Sequence, residues 1–387
     1  MSEVLRSALR GFGTSIFSTI SQEAARHGAI NLAQGFPDFD PPEPLVQAAV
    51  EALRSGAHQY APSIGSADLR EAVAAQHAAQ YGRHGLGYDP ETEVTITVGA
   101  TEAIWSASQA LLEPGDEVVL VEPCYDLYPF AVAAAGAVPR YVPTTFPGFR
   151  LDLDRLAAAF SARTRLVVLN TPTNPTGRRL DPDELRALGE LLHRHDAYAI
   201  SDETYEHVLF DGLEHLPVAA DAGCRDRTIT VSSVSKSFSA TGWRVGWALA
   251  PAGLTDAVRR VHQFVTFTAP TPLQRAVATM LHTAARTGYY EQLRAEYAER
   301  RDTLLEYLRK TDLELAAPQG TYFVLTRCAG DEVEYCQDLV TRVGVAAIPA
   351  SAFYADPATG RGLVRFAFCK RLETLRAAGE RLLAAPA

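Results

Sequence analysis

Between residues 93 and 250, short apolar runs alternate with segments of helical period. The runs cover 94–98, 117–121, 165–169, 198–200, 228–231 and 245–249. Most are continuous rather than alternating, which predicts strands buried on both faces of a mainly parallel sheet. The helices between them have readable ends. Asp181-Pro182-Asp183-Glu184 supplies an N-cap, a proline at the first helical position and a glutamate at N3, ahead of an inner stripe of Leu185, Leu188 and Leu192. After about residue 289 the pattern changes. A long Arg/Glu-rich helix over 289–310 precedes strand-like stretches at 320–325, 344–348 and 362–368 and a final helix over 372–384. These predict an α/β domain followed by a smaller α+β domain, which the N-terminal segment completes. The proline-rich stretch 36–42 reads as a rigid connector between the two parts.

With 387 residues the chain is long enough for about two domains. A net charge of −10 with no compensating basic stripe argues against a nucleic-acid partner. Cys124, Cys224, Cys328, Cys336 and Cys369 are odd in number and lack C-x-x-C spacing. That disfavours a disulfide frame or zinc cluster and favours a reducing compartment. The opening Met1-Ser2-Glu3-Val4-Leu5-Arg6 has no apolar core of a leader, and no run approaches membrane-spanning length. No metal and no membrane are expected, and the cytoplasm is the expected location.

The polar clusters begin where the buried runs end: Gly99-Ala100-Thr101-Glu102, Glu122-Pro123-Cys124-Tyr125, Asn170 through Gly177, Asp202 through Tyr205, and Ser232 through Lys236. In an open α/β sheet, ligands bind beyond the carboxyl ends of the strands, so five such clusters can share one pocket. Lys236 is one of three lysines in the chain, and it sits among serines, with Arg244 eight residues on. Arginine cannot replace an amine that must lose its proton and add to a carbonyl, so Lys236 reads as a Schiff-base nucleophile beside an anion site. Gly99-Ala100-Thr101 opens a helix whose free N–H groups point toward an anion, and Arg244 adds a bidentate charge. Asp202, at the end of an apolar strand, needs a cation or a proton-bearing nitrogen, which a pyridinium would supply. Tyr205 and Asn174 are placed to reach the same ring, and Tyr125 to stack on it. Neither G-x-x-x-x-G-K-[ST] nor a G-x-G-x-x-G following a strand is present, which disfavours nucleoside triphosphates and dinucleotides. The absence of G-x-S-x-G, with His193 and His195 on a polar helix, gives little support to a hydrolase or metal enzyme.

Together, these residues resemble the class I/II aminotransferases, pyridoxal-phosphate enzymes of fold type I. The segment Ser233-Val234-Ser235-Lys236, continuing through Ser239-Ala240, Gly242 and Arg244-Val245-Gly246, is similar to that family's cofactor-attachment signature. Gly35-Phe36-Pro37-Asp38-Phe39 and Gly344 through Ile348 resemble the kynurenine, glutamine and methionine aminotransferase branch. The resemblance implies a large domain with a mainly parallel seven-stranded sheet over 46–285, a small domain over 286–387, and a segment 1–45 joining the small domain and a dimer partner. It implies that Lys236 holds the cofactor, Asp202 its ring nitrogen, Tyr205 and Asn174 its ring oxygen, and Ala100, Thr101, Ser233 and Arg244 its phosphate. Tyr60 would reach the phosphate of a neighbouring subunit. Arg365 would clamp the substrate α-carboxylate with help from the Gly35 N–H, while Asn174, Phe17 and Tyr128 contact substrate and Phe267 adds to an apolar pocket.

The implied activity is ping-pong transfer of an amino group from a neutral or aromatic L-amino acid, of the methionine, glutamine, phenylalanine or kynurenine class, to a 2-oxo acid. Cysteine-S-conjugate β-lyase and amino-acid oxidase chemistry remain open on the same scaffold. A non-catalytic sensor is disfavoured, because the few residues before Asn31 are expected to leave no room for a DNA-binding domain. Two departures bear on the substrate. Cys124-Tyr125 stands where the branch often shows two aromatics, and Phe17 where some members carry tryptophan.

Overall fold

The computed structural model describes residue 4, residues 6–13 and residues 15–384. Most of the stretch read for a leader, residues 1–6, lies outside the described residues. The first strand, β1 (Ile30–Asn31), precedes the seven strands of the large sheet: β2 (Val94–Thr97), β3 (Glu117–Glu122), β4 (Val138–Pro143), β5 (Thr164–Asn170), β6 (Tyr198–Asp202), β7 (Thr228–Ser233) and β8 (Gly246–Leu249). Their order is β2-β8-β7-β6-β5-β3-β4, and β8 alone runs opposite in direction to the other six.

Helices cover both faces, which is why the inner strands read as continuous apolar runs. On one face, Ile104, Ala107, Val132 and Val258 pack against Leu120, Val168, Ile200 and Val231. On the other, Leu185, Leu188 and Leu192 of the helix Pro182–His195 pack against Val119, Val167 and Ala199. That helix begins as its sequence predicts, with Glu184 Oε2 accepting the Asp181 N–H at 2.7 Å. The strand without a continuous apolar run is β4. It pairs only with β3, and its residues are mostly exposed or half-buried. An edge position accepts Pro139 and Pro143, which an inner strand would not.

The C-terminal part contains β9 (Glu314–Ala316), β10 (Phe323–Arg327), β11 (Val345–Ala346), β12 (Ile348–Pro349) and β13 (Leu363–Ala367). Four of these form the antiparallel order β12-β13-β10-β9, while β11 pairs in parallel with β1. The Ala367 N–H also donates to Leu32 O at 2.7 Å, so the N-terminal segment is built into this part. The helix Tyr289–Leu308 leads into it from the large sheet. Among the described residues, no helix is long and apolar enough to cross a membrane.

Candidate active site

The carboxyl ends of β2, β5, β6 and β7 open onto one cavity of about 520 Å³. Its floor is set by β6 and its neighbours. Asp202, the last residue of β6, is buried, and its Oδ2 accepts the Tyr128 hydroxyl at 2.8 Å. The Thr204 N–H donates to Oδ1 at 3.2 Å. Burial raises the Asp202 pKa, opposed by the bonds from Tyr128 and Thr204 and by the Lys236 charge. A cationic nitrogen placed beside this carboxylate would relieve that cost. Tyr128 lines the cavity as expected, but it was assigned to substrate and its hydroxyl is instead spent on Asp202. Asn170 buttresses the same floor. Its Nδ2 donates to Asp202 O at 2.7 Å, and its Oδ1 accepts the Asn174 N–H at 2.6 Å.

Lys236 stands on the single turn Val234–Ser237 that follows β7, with Ser233 Oγ accepting the Ser235 N–H at 3.3 Å. Its Nζ lies 5.7 Å from the centre of the Tyr205 ring and 5.6 Å from that of Tyr322. Burial lowers its pKa to about 8, against the pull of Cys369 and Asp202. The amine is therefore partly unprotonated near neutrality, as a nucleophile requires.

At the other end, the helix Gly99–Leu111 starts in the cavity wall. Gly99 has φ +74, and a Cβ there would lie 2.6 Å from Arg244 Nη2, so the glycine lets the guanidinium lie against the helix start. Arg244 itself takes φ +54 and donates from Nη1 to Thr241 O at 3.1 Å. Gly246 permits the second close approach. A Cβ there would fall 2.7 Å from Gly99 C and 2.8 Å from Ala100 N. Ala100, Thr101, Ser233 and Ser235 line this corner, and Ser235 Oγ is buried without a hydrogen-bond partner. Free helix N–H groups, an arginine and an orphaned hydroxyl fit the phosphate of the expected cofactor. A buried carboxylate and a depressed amine across the cavity fit its ring nitrogen and aldehyde.

The remaining wall comes from the C-terminal part. Arg365 on β13 is fully buried and donates from Nη1 to Asn174 Oδ1 at 2.9 Å and from Nη2 to Ala33 O at 2.6 Å. Its guanidinium carbon lies 4.0 Å from the Phe323 ring centre and 5.1 Å from those of Phe17 and Phe353. Burial lowers its pKa to about 10, and its Nε has no partner. Gly35 faces the same wall, its carbonyl accepting the Tyr322 hydroxyl at 2.6 Å. Tyr125 sits between Phe17 and Tyr128, with ring centres 6.5 and 5.9 Å away.

One expected residue is not in this cavity: Phe267 does not line its own chain's pocket, and its ring lies 5.2 Å from that of Tyr60. Tyr60, expected to reach a neighbouring subunit, is 83% exposed. Reading the sequence also missed Asn170, Ser235, Tyr322 and Phe323. Tyr322 and Phe323 were read only as strand, although an aromatic pair after Gly320-Thr321 was the available signal.

The family model for aminotransferase class I and II matches residues 27–382. The solved N-succinyldiaminopimelate aminotransferase of Mycobacterium tuberculosis superposes with TM-score 0.94 at 44% identity, covering 98% of this chain and 99% of that one. An Escherichia coli structure assigned a methionine aminotransferase function gives TM-score 0.94 at 41% identity over 99% and 100% of the two chains. The kynurenine–oxoglutarate transaminase of Dictyostelium discoideum is 35% identical, over 96% of this chain and 94% of its own.

Proposed function

The chain belongs to the class I and II aminotransferases, which use pyridoxal 5′-phosphate, and from that premise we propose that it moves the amino group of a neutral or aromatic L-amino acid to a 2-oxo acid in two half-reactions. One observation carries the substrate class. Among the described residues lining the cavity, the cations are Lys236, Arg244 and Arg365. The first is taken by the cofactor aldehyde, the second by phosphate and the third by the α-carboxylate, so this chain's own lining leaves none for a carboxylate on the substrate side chain.

Each residue has a task that follows from its surroundings. Arg244, the N–H groups of Ala100 and Thr101, and the hydroxyls of Thr101, Ser233 and Ser235 hold the phosphate. Asp202, kept in place by Tyr128, holds a proton on the ring nitrogen. Tyr205 and the Asn174 amide orient the ring through its oxygen, and Tyr125 covers one face. When bound, the cofactor supplies an electrophilic carbon and a ring that accepts the electron pair left when the α-proton departs. Lys236 would hold the cofactor through its amine and, once freed, would take the α-proton on Nζ. Arg365 holds the α-carboxylate, with the Gly35 N–H beside it. Phe17 and Tyr125 screen the reacting carbon from water and present an apolar surface to the side chain.

The test is a spectral panel. Neutral, aromatic and acidic amino acids, including N-succinyldiaminopimelate, are mixed singly with holoenzyme, and the cofactor band is followed before oxo acids are added. Methionine, glutamine, phenylalanine or kynurenine should shift the band at micromolar to millimolar concentration, and an oxo acid should restore it. Faster conversion by an acidic donor than by any neutral one would overturn the substrate class. Release of pyruvate and ammonia from an S-conjugate with the cofactor band retained, or O₂ uptake without an acceptor, would overturn the reaction type.

A further inference from the structure

On the far side of the phosphate cradle, the buried ring of His262 has both nitrogens against acceptors. Its Nε2 lies 2.7 Å from Ser63 O, a carbonyl that requires an N–H. Its Nδ1 lies 3.0 Å from both Glu102 carboxylate oxygens. Glu102 also accepts two other donors, the Val98 N–H at 3.1 Å and the Ser106 hydroxyl at 2.5 Å. Both carboxylate oxygens already accept a hydrogen bond, and the Nδ1 contact is a third donation, from the histidine. The ring also meets the Thr266 hydroxyl at 3.2 Å, which can turn its lone pair inward.

What the ring joins is functional. Val98 and Glu102 flank Gly99-Ala100-Thr101, so the Glu102–Val98 bond shapes the turn that presents the cradle. Ser63 belongs to the loop that carries Tyr60, and that loop is tied down again where Thr268 Oγ1 donates to Pro62 O and Thr271 Oγ1 to Gln59 O. We infer that His262 is a positioning residue, held as an imidazolium, that locks the phosphate cradle of its own subunit to the Tyr60 loop offered to the partner subunit. This rests on the phosphate assignment proposed above.

The charged groups facing the ring are Glu102 from the helix Gly99–Leu111 and Arg259, one turn earlier on its own helix. Burial and Arg259 favour the neutral ring, yet the bonds to Glu102 and Ser63 prevail and its pKa is raised from 6.5. A raised folded value means the contribution is complete below the unfolded value of 6.5 and is lost as pH rises through the folded value. Cofactor affinity should share that dependence.

Two measurements test this. In the ¹⁵N spectrum of histidine-labelled holoenzyme at pH 7, the His262 signals, assigned by their absence in His262→Gln, should show both nitrogens protonated. Titration of the refolded apoenzyme should show the ratio of wild-type to His262→Gln affinity for pyridoxal phosphate falling at high pH, a comparison in which the Lys236 dependence is common to both. At pH 6 the His262→Gln affinity should be about tenfold weaker than the wild type's, the order of one charge-assisted hydrogen bond, and the gap should close as pH rises. Glu102→Gln should return the histidine to neutrality at pH 7. A singly protonated His262 in the wild type, or an affinity ratio that stays the same across pH, would overturn the inference. Failure of the wild type to bind the cofactor at all would instead overturn the phosphate assignment.

Discussion

The reactivity proposed for Lys236 rests on an amine held in a setting that penalises its charge, close to a carboxylate that limits the penalty. With its pKa lowered to about 8, capture of cofactor by the apoenzyme should speed up as pH rises and level off above that value. Stopped-flow absorbance across pH 6 to 10 checks this, and a rate that falls with pH would contradict it. Lys236→Ala should lower kcat by at least about 10³-fold, the scale of a lost acid–base group. Tyr128 has a subtler part. Removing its hydroxyl in Tyr128→Phe leaves Asp202 buried with one donor fewer, so kcat should fall about threefold to tenfold while KM changes little. The lysine could be read from the sequence because lysine is scarce and its neighbours are small and polar. The job of Tyr128 could not, because a tyrosine three positions after Tyr125 says nothing about a carboxylate 74 residues away.

The elements explain why the site residues lie so far apart in the chain. Strands buried on both faces must be apolar throughout, so polar groups collect where each strand ends, and parallel strands end on the same side. That logic made β2, β3 and β5 through β8 visible. It failed for β4, where only one neighbour is present and the pattern is diluted by proline and arginine. It also missed Phe323, which belongs to β10 of the other sheet and reaches the site only because β10 and β13 pair with Val324 opposite Phe366 and Leu325 opposite Arg365. The start of the helix Gly99–Leu111 depends on two glycines for its closeness to Arg244 and β8. Gly246→Ala would put a methyl group against backbone rather than a yielding side chain. Cofactor affinity should therefore drop at least about tenfold, with a lower Tm, because the overlap cannot be relieved without moving the cradle. Equilibrium dialysis and thermal unfolding of the variant provide the check.

For the whole molecule, the outer face carrying Tyr60 and Phe267 also bears Phe264, which is 86% exposed. An apolar group of this kind, next to a loop tied to the phosphate cradle, supports the homodimer implied by the family resemblance. Sedimentation at micromolar concentration should give twice the chain mass. Mixing Tyr60→Ala with Lys236→Ala after partial unfolding should regenerate activity at limiting cofactor, since a hybrid dimer would contain one intact site. No recovery would mean that Tyr60 serves its own chain or none. The relation proposed here comes only from resemblance, because nothing in the local pattern of His58-Gln59-Tyr60 distinguishes a residue meant for a partner from one meant for water.

The most direct test is to reduce the reconstituted holoenzyme with borohydride, digest it and locate the added mass by peptide sequencing. The phosphopyridoxyl group should be found on Lys236 alone, with stoichiometry near one per chain. A label on Lys310 or Lys370, or an unlabelled protein that still transaminates, would contradict the assignment.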